Sequence, residues 1–149
     1  MKCLSDVLPL YFYLVDYMAR FRKKPIRRKA SSGATTERQV TAFLEYLRTE
    51  CHLAANTIAA YRRDLVRFTQ WLGDRQIRSL NITQLASYVG HLRDQGLAPT
   101  SVARHTVSIK VFFRYLQLEG VLKDNLAELL GTQKLWSHVP HVLSPKKVQ

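Results

Sequence analysis

A polar stripe runs along one predicted helix near the end of the sequence. Ser101, Arg104, His105 and Ser108 follow one another at i, i+3, i+4 and i+7, and Lys110 adds positive charge beside them. The rest of this helix is apolar, and packing gives a core helix no reason to keep such a stripe. We therefore expect its first half to emerge at a surface, where arginine and serine can reach phosphates and base edges. The alternative is a buried polar seam hydrogen-bonded to the preceding loop.

A second cationic face is predicted on an earlier helix. Arg63 and Arg67 lie one turn apart, opposite its apolar residues, and Arg62 flanks the apolar side. The first turn of this helix is small, with Thr57 and two alanines, and its unpaired N–H groups favour an anion. These features suit a nucleic-acid backbone, although an ordinary solvated helix face has the same composition.

Other site chemistry has little support in the sequence. The five histidines show no ligand spacing with cysteine or carboxylate residues, and His138 and His141 form an isolated pair in a proline-containing tail. The glycines are scattered, no carboxylates are paired, and no Ser–His–Asp set is indicated. We expect no metal, no cofactor and no small-molecule substrate. Cys3 and Cys51 cannot make a disulfide framework, which fits a reducing, cytoplasmic compartment with Cys51 buried.

The charge balance favours a polyanionic partner. In 149 residues, Lys+Arg 23 against Asp+Glu 11 gives a net charge of +12 and a pI near 10.1. Residues 1–35 carry net +6, residues 36–131 net +3, and residues 132–149 net +3. We therefore predict a folded domain over residues 36–131 between two basic tails, the first of them a poorly ordered extension.

The N-terminal segment raises the question of a membrane. Residues 7–19 are apolar and aromatic, and six of the nine residues 21–29 are basic. A signal peptide has the reverse order, and no stretch approaches the roughly 18 apolar residues of a membrane span. A membrane-surface anchor is the alternative to a poorly ordered extension, but Pro9 would break the helix it needs. We therefore do not expect a membrane partner.

Five segments show helical periodicity, and none shows the alternation of a strand. They begin at or near Thr36, Asn56, Thr83, Pro99 and Asn125. Thr36 with Gln39, and Asn125 with Glu128, match capping boxes, and Asn56 is placed to cap the second helix. The second helix has an apolar stripe of Ile58, Tyr61, Leu65, Phe68 and Leu72, and Gly73 stops it. The fourth is apolar on nearly all sides, which predicts the centre of an all-α bundle of four to five helices.

Three segments of the sequence resemble a known family. Residues 56–65 (NTIAAYRRDL) resemble the second helix of the Xer-type tyrosine recombinases, which belong to the phage integrase family. Residues 100–116, which contain TSVAR and IKVFFRYL, resemble the fourth helix of the same family. Residues 139–144 (VPHVLS) resemble the linker that leads into the catalytic domain of that family. Order and spacing agree over about residues 36–149, so the tail 132–149 is interpreted as this linker.

The resemblance implies a SAM-like helical bundle, the core-binding domain, which forms one arm of a clamp around DNA. Its second and fourth helices would lie across the major groove. Together with the two polar faces described above, it gives the predicted DNA-binding set: Thr57, Arg62, Arg63, Arg67, Ser101, Arg104, Ser108 and Lys110. Tyr61 also matches the family position, but it belongs to the apolar stripe and is expected to pack inward. Double-stranded DNA and other recombinase subunits are the implied partners.

The chain also departs from the family pattern. The family cuts DNA with a tyrosine of a separate C-terminal domain, and none of the seven tyrosines here lies in the matching motif. We therefore predict DNA binding without catalysis and no catalytic residue. Leu126 stands where the family usually has proline, which leaves the start of the last helix uncertain. The alternative function is an interaction module that regulates a full-length recombinase, and the sequence does not distinguish a truncated product from one piece of a split enzyme.

Overall fold

Between residues 35 and 131 the structure contains four α-helices and two short 3₁₀ helices. The computed structural model describes residues 13, 14, 16 and 35–131. Its α-helices are α1 (Thr35–Thr49), α2 (Ala55–Leu72), α3 (Ile82–Asp94) and α4 (Pro99–Leu118), and its 3₁₀ helices are Ile77–Ser79 and Leu126–Gly131. No strand occurs among the described residues, which confirms the all-α prediction.

Helix α4 lies at the centre of the bundle. It packs against α1, α2, α3 and the second 3₁₀ helix, and nine of its twenty residues are buried. The ring of Phe112 lies 5.3 Å from that of Phe43 on α1, and the ring of Phe113 lies 6.1 Å from that of Phe68 on α2. These aromatic contacts fix α1 and α2 on two sides of α4, and the predicted central helix is confirmed.

The apolar stripe predicted for the second helix forms one wall of the core. Tyr61, Leu65, Phe68 and Leu72 are buried on α2, and Ile58 is half-buried beside them. Cys51 is buried as expected. The core also includes Leu14, which is fully buried, so it draws one side chain from outside residues 36–131.

The helix starts differ from those predicted. Helix α1 begins at Thr35, which places Thr36 inside the first turn instead of at the cap. Helix α2 begins at Ala55 and has no side-chain cap, so the prediction that Asn56 caps it is wrong. The first backbone bond of α2 runs from the Ile58 N–H to Ala54 O at 3.1 Å, so Ala54 occupies the cap position and Asn56 already lies in the first turn.

The capping boxes also fall elsewhere than predicted. Asn81 and Gln84 make one at the start of α3, where the Gln84 N–H donates to Asn81 Oδ1 at 2.8 Å and the Asn81 N–H donates to Gln84 Oε1 at 3.0 Å. The predicted fifth α-helix is the 3₁₀ helix Leu126–Gly131. Before it, Asn125 Nδ2 donates to Glu128 Oε1 at 3.1 Å, so these side chains bond each other and form no capping box.

Candidate nucleic-acid interface

A buried carboxylate on α2 gathers three polar side chains from α4. Asp64 is fully buried, and Ser108 Oγ donates to its Oδ2 at 2.7 Å. Arg104 Nη2 lies 2.9 Å from Asp64 Oδ1, and His105 Nε2 lies 3.3 Å from the same oxygen. Among the described residues no donor is aligned for a hydrogen bond to Oδ1, so Arg104 acts on it through its charge and the neutral His105 only lies close to it. This cluster joins the two helices that the sequence marked as functional.

The polar stripe of α4 is therefore largely a seam between helices. His105 and Ser108 are only 4% and 3% exposed. The prediction that the stripe emerges at a surface is wrong for these two residues, because Asp64 accepts a hydrogen bond from Ser108 and the Tyr88 hydroxyl lies near His105 in the interior. The seam alternative is the correct one, although its partner is α2 and not the preceding loop. The Ser108 hydroxyl donates to Asp64 and is almost fully buried in this arrangement.

Three arginines surround Asp64 and form what we call the arginine patch: Arg63, Arg67 and Arg104. Arg63 and Arg67 are exposed on α2, and the Arg104 side chain is 33% exposed. Burial raises the pKa of Asp64, and the Ser108 hydrogen bond and the guanidinium groups of all three arginines act in the opposite direction. One carboxylate cannot neutralise three guanidinium groups, so the patch keeps a net positive charge.

The other α2 candidates lie at different angles around the helix. At about 100° per residue, Thr57 lies within about 20° of Asp64, two turns earlier on the same face. Arg62 is exposed but lies about 160° from Asp64. Thr57 therefore lies on the Asp64 side of α2, where it is half-buried, whereas the exposed Arg62 lies about 100° around the helix from Arg63, on the side away from Asp64.

The two remaining DNA-binding candidates on α4, Ser101 and Lys110, lie on different sides of the helix. Ser101 is half-buried and lies one turn before Arg104, on the same side of the helix. Lys110 lies about 120° around α4 from Arg104. Burial lowers the pKa of Lys110, and Glu128 of the second 3₁₀ helix opposes this shift. Lys110 therefore faces that helix and does not belong to the arginine patch.

His105 is held neutral in the seam. Burial, with the charges of Arg104 and Arg67, lowers the pKa of His105 to about 4. Its Nδ1 lies 3.5 Å from the hydroxyl of Tyr88 on α3, which links the seam to a third helix. Because the folded protein binds this proton less tightly than the unfolded chain, protonation of His105 favours unfolding.

Acidification is therefore expected to destabilise the domain. The contribution of His105 is complete above its unfolded pKa near 6.5 and is lost as the pH falls towards about 4. The raised pKa of Asp64 acts in the opposite direction, and we expect the effect of His105 to prevail, so that the free energy of unfolding falls across this window. Urea unfolding at several pH values measures it.

The matched variants for this prediction are His105→Gln and His52→Asn. His105→Gln should reduce the pH dependence of the free energy of unfolding over the same pH range. The second changes an exposed histidine at a positive φ of 50°, which asparagine tolerates, and should leave the dependence intact. An unchanged profile in His105→Gln would show that His105 does not carry this effect.

Sequence reasoning missed Asp64, the centre of the cluster. A signal was present, because Asp64 falls at i+3 from Tyr61 and directly before Leu65, at the edge of the apolar stripe. A carboxylate at a core-facing position needs partners, and the polar stripe of the fourth helix supplies them. The carboxylate at an apolar position of the second helix and the polar stripe on the apolar fourth helix, taken together, would have predicted the seam.

Two other kinds of site find no support in the part of the chain that the structure describes. It contains no group of three or more histidine, cysteine, aspartate or glutamate residues arranged to hold a metal ion. None of its helices is long and apolar enough to cross a membrane. The isolated His138 and His141 lie outside the described residues.

Comparison with known proteins supports the resemblance. The model of the phage integrase N-terminal SAM-like domain matches residues 40–120. Tyrosine recombinase XerC of Roseiflexus sp. (strain RS-1) is 35% identical over 113 residues, covering 74% of this chain and 36% of the relative. Tyrosine recombinase XerD of Proteus mirabilis is 33% identical over 130 residues, covering 81% and 42%. No solved structure is significantly similar to the chain.

A third relative, tyrosine recombinase XerD of Vibrio cholerae (strain ATCC 39315 / El Tor Inaba N16961), is 36% identical over 112 residues, covering 74% of this chain and 37% of the relative. The chain thus spans about two fifths of the length of the curated relatives it matches. The family model covers more than half of the chain, including α2, α3 and α4. The chain therefore belongs to the phage integrase N-terminal SAM-like domain family, as a core-binding domain of a tyrosine recombinase.

Proposed function

We propose that the domain binds duplex DNA in site-specific recombination, with the arginine patch of α2 and α4 on the DNA backbone. The observation that carries this proposal is the gathering of Arg63, Arg67 and Arg104 around a single carboxylate. Such a patch has donors and positive charge in excess, and guanidinium groups match phosphate oxygens in geometry.

The helix geometry also suits a groove. The major groove of B-DNA is about 12 Å wide and admits an α-helix. Thr57 lies on the Asp64 side of α2, and Ser101 lies one turn before Arg104 on α4, so their hydroxyl groups are candidates for further phosphate contacts. A domain that forms one arm of a clamp holds half of the contacts, so we expect a Kd of about 10⁻⁴–10⁻⁶ M, the range of nonspecific binding.

We further propose that this chain does not itself cut DNA. A tyrosine nucleophile needs an activated phenol, which means a lowered pKa or a neighbouring base. Burial instead raises the pKa of Tyr61 and of Tyr88 above the ordinary value. Tyr61 packs in the core, 6.0 Å from Phe43 between ring centroids, and serves the fold.

DNA binding is expected to depend steeply on salt. If about six phosphates are neutralised, log K falls against log salt with a slope near −5. Fluorescence anisotropy of a labelled mixed-sequence duplex, titrated with the full chain between about 50 and 200 mM KCl, measures the slope. Binding that is insensitive to salt, or absent at the lowest salt, would contradict the proposed function.

A further inference from the structure

We infer that Asp64 is a positioning residue for DNA binding, holding the Arg104 guanidinium in place while other donors of that group remain for phosphate. The inference rests on the proposed function and adds to it a buried residue that itself touches no DNA. The geometry behind it is the 2.9 Å contact between Arg104 Nη2 and Asp64 Oδ1.

The burial of Asp64 is hard to explain by stability alone. Its side chain is 1% exposed, and no described donor is aligned with Oδ1. Burying a carboxylate with incomplete hydrogen bonding is unfavourable, and apolar residues in place of buried ion pairs are often as stable or more so. A carboxylate kept at this position therefore points to an effect on the groups around it.

Arg104 is arranged to serve two partners. A guanidinium group has five N–H donors, and the Asp64 contact involves Nη2. One third of the side chain is exposed, so Arg104 meets both solvent and the carboxylate. An arginine that is already fixed loses less conformational entropy when it binds a phosphate.

Asp64 is itself contacted by two further side chains of α4. Ser108 Oγ donates to Oδ2 at 2.7 Å, and His105 Nε2 lies 3.3 Å from Oδ1. His105 in turn lies 3.5 Å from the hydroxyl of Tyr88 on α3. The Asp64 carboxylate thus links Arg104 on α4 to α2, and His105 links the same cluster to α3.

The test compares Asp64→Asn in two backgrounds, the wild type and Arg104→Gln, by anisotropy with a mixed-sequence duplex at low salt. Simple electrostatics predicts tighter binding in both, because a negative charge is removed near DNA. Positioning predicts about fivefold weaker binding in the wild-type background and no weakening in Arg104→Gln, where nothing remains to position. The exposed Asp74→Asn, with the same change of charge, is the control and should not weaken binding.

A second variant keeps the test decisive if Asp64→Asn is poorly folded by circular dichroism. Ser108→Ala retains the charge and removes a hydrogen bond to Asp64 from a residue that is 3% exposed. It should weaken binding in the wild-type background only. Equal effects in both backgrounds, for either variant, would overturn the inference while leaving DNA binding itself established. A wild-type chain that fails to bind would instead refute the proposed function, and the inference with it.

Discussion

Phe112→Ala is expected to lower the free energy of unfolding by about 3–5 kcal/mol. Phe112 is fully buried on the central helix α4, with its ring 5.3 Å from Phe43 and 6.3 Å from Phe113. Truncation removes apolar contacts and leaves a cavity that three packed helices cannot fill by small shifts. For a domain of this size, such a loss corresponds to a fall in melting temperature of roughly 15 °C or more. Urea unfolding monitored by circular dichroism measures it.

Two variants control this prediction. Phe112→Leu keeps most of the apolar volume and should lose clearly less stability than Phe112→Ala. Val66→Ala removes an apolar side chain that is 44% exposed on α2 and should change stability by less than about 0.5 kcal/mol. A loss below about 1 kcal/mol for Phe112→Ala would mean that α4 is not the centre of the core.

Removing the arginine patch is expected to weaken DNA binding about a hundredfold. The variant is Arg63→Ala, Arg67→Ala and Arg104→Gln, in which glutamine keeps a donor for the buried Asp64. Losing three phosphate contacts should also make the salt slope shallower by nearly three units. Anisotropy titrations at several salt concentrations give both quantities.

The matched control removes the same charge elsewhere. Arg38→Ala, Arg48→Ala and Arg93→Gln change three exposed arginines, two on α1 and one on α3. Arg48 forms an ion pair with the exposed Glu45 at 2.9 Å, so its loss leaves no buried charge on that partner. If the two triple variants bind DNA equally weakly, net charge accounts for the affinity and the patch has no special role.

Much of the fold was predictable because it follows from periodicity. The stripe from Ile58 to Leu72 and the apolar circumference of α4 determine what is buried, and both are visible in the sequence. Helix ends were less predictable, since competing local bonds decide them. Asn56 has the right side chain for a cap, yet the bond from the Ile58 N–H to Ala54 O starts α2 one residue before it.

The exposure of the arginines could be predicted from the sequence, whereas the buried polar seam between α2 and α4 could not. Exposure of Arg63 and Arg67 follows from their angle to the apolar stripe, a property of a single helix. The burial of Ser108 depends on which residue of α2 faces it, and that is set by helix packing between positions 44 residues apart. Periodicity within one helix carries no such information. The DNA contacts of the eight predicted residues remain a prediction.

The most direct test of the account is site-resolved. A ¹⁵N-labelled full chain is titrated with a mixed-sequence duplex, and amide chemical shifts are followed by NMR. We predict that the largest changes fall on residues 57–70 of α2 and 101–108 of α4, around the arginine patch. Changes confined to the basic segments 1–34 and 132–149, or centred on α1, would show that DNA is bound elsewhere and contradict the central claim.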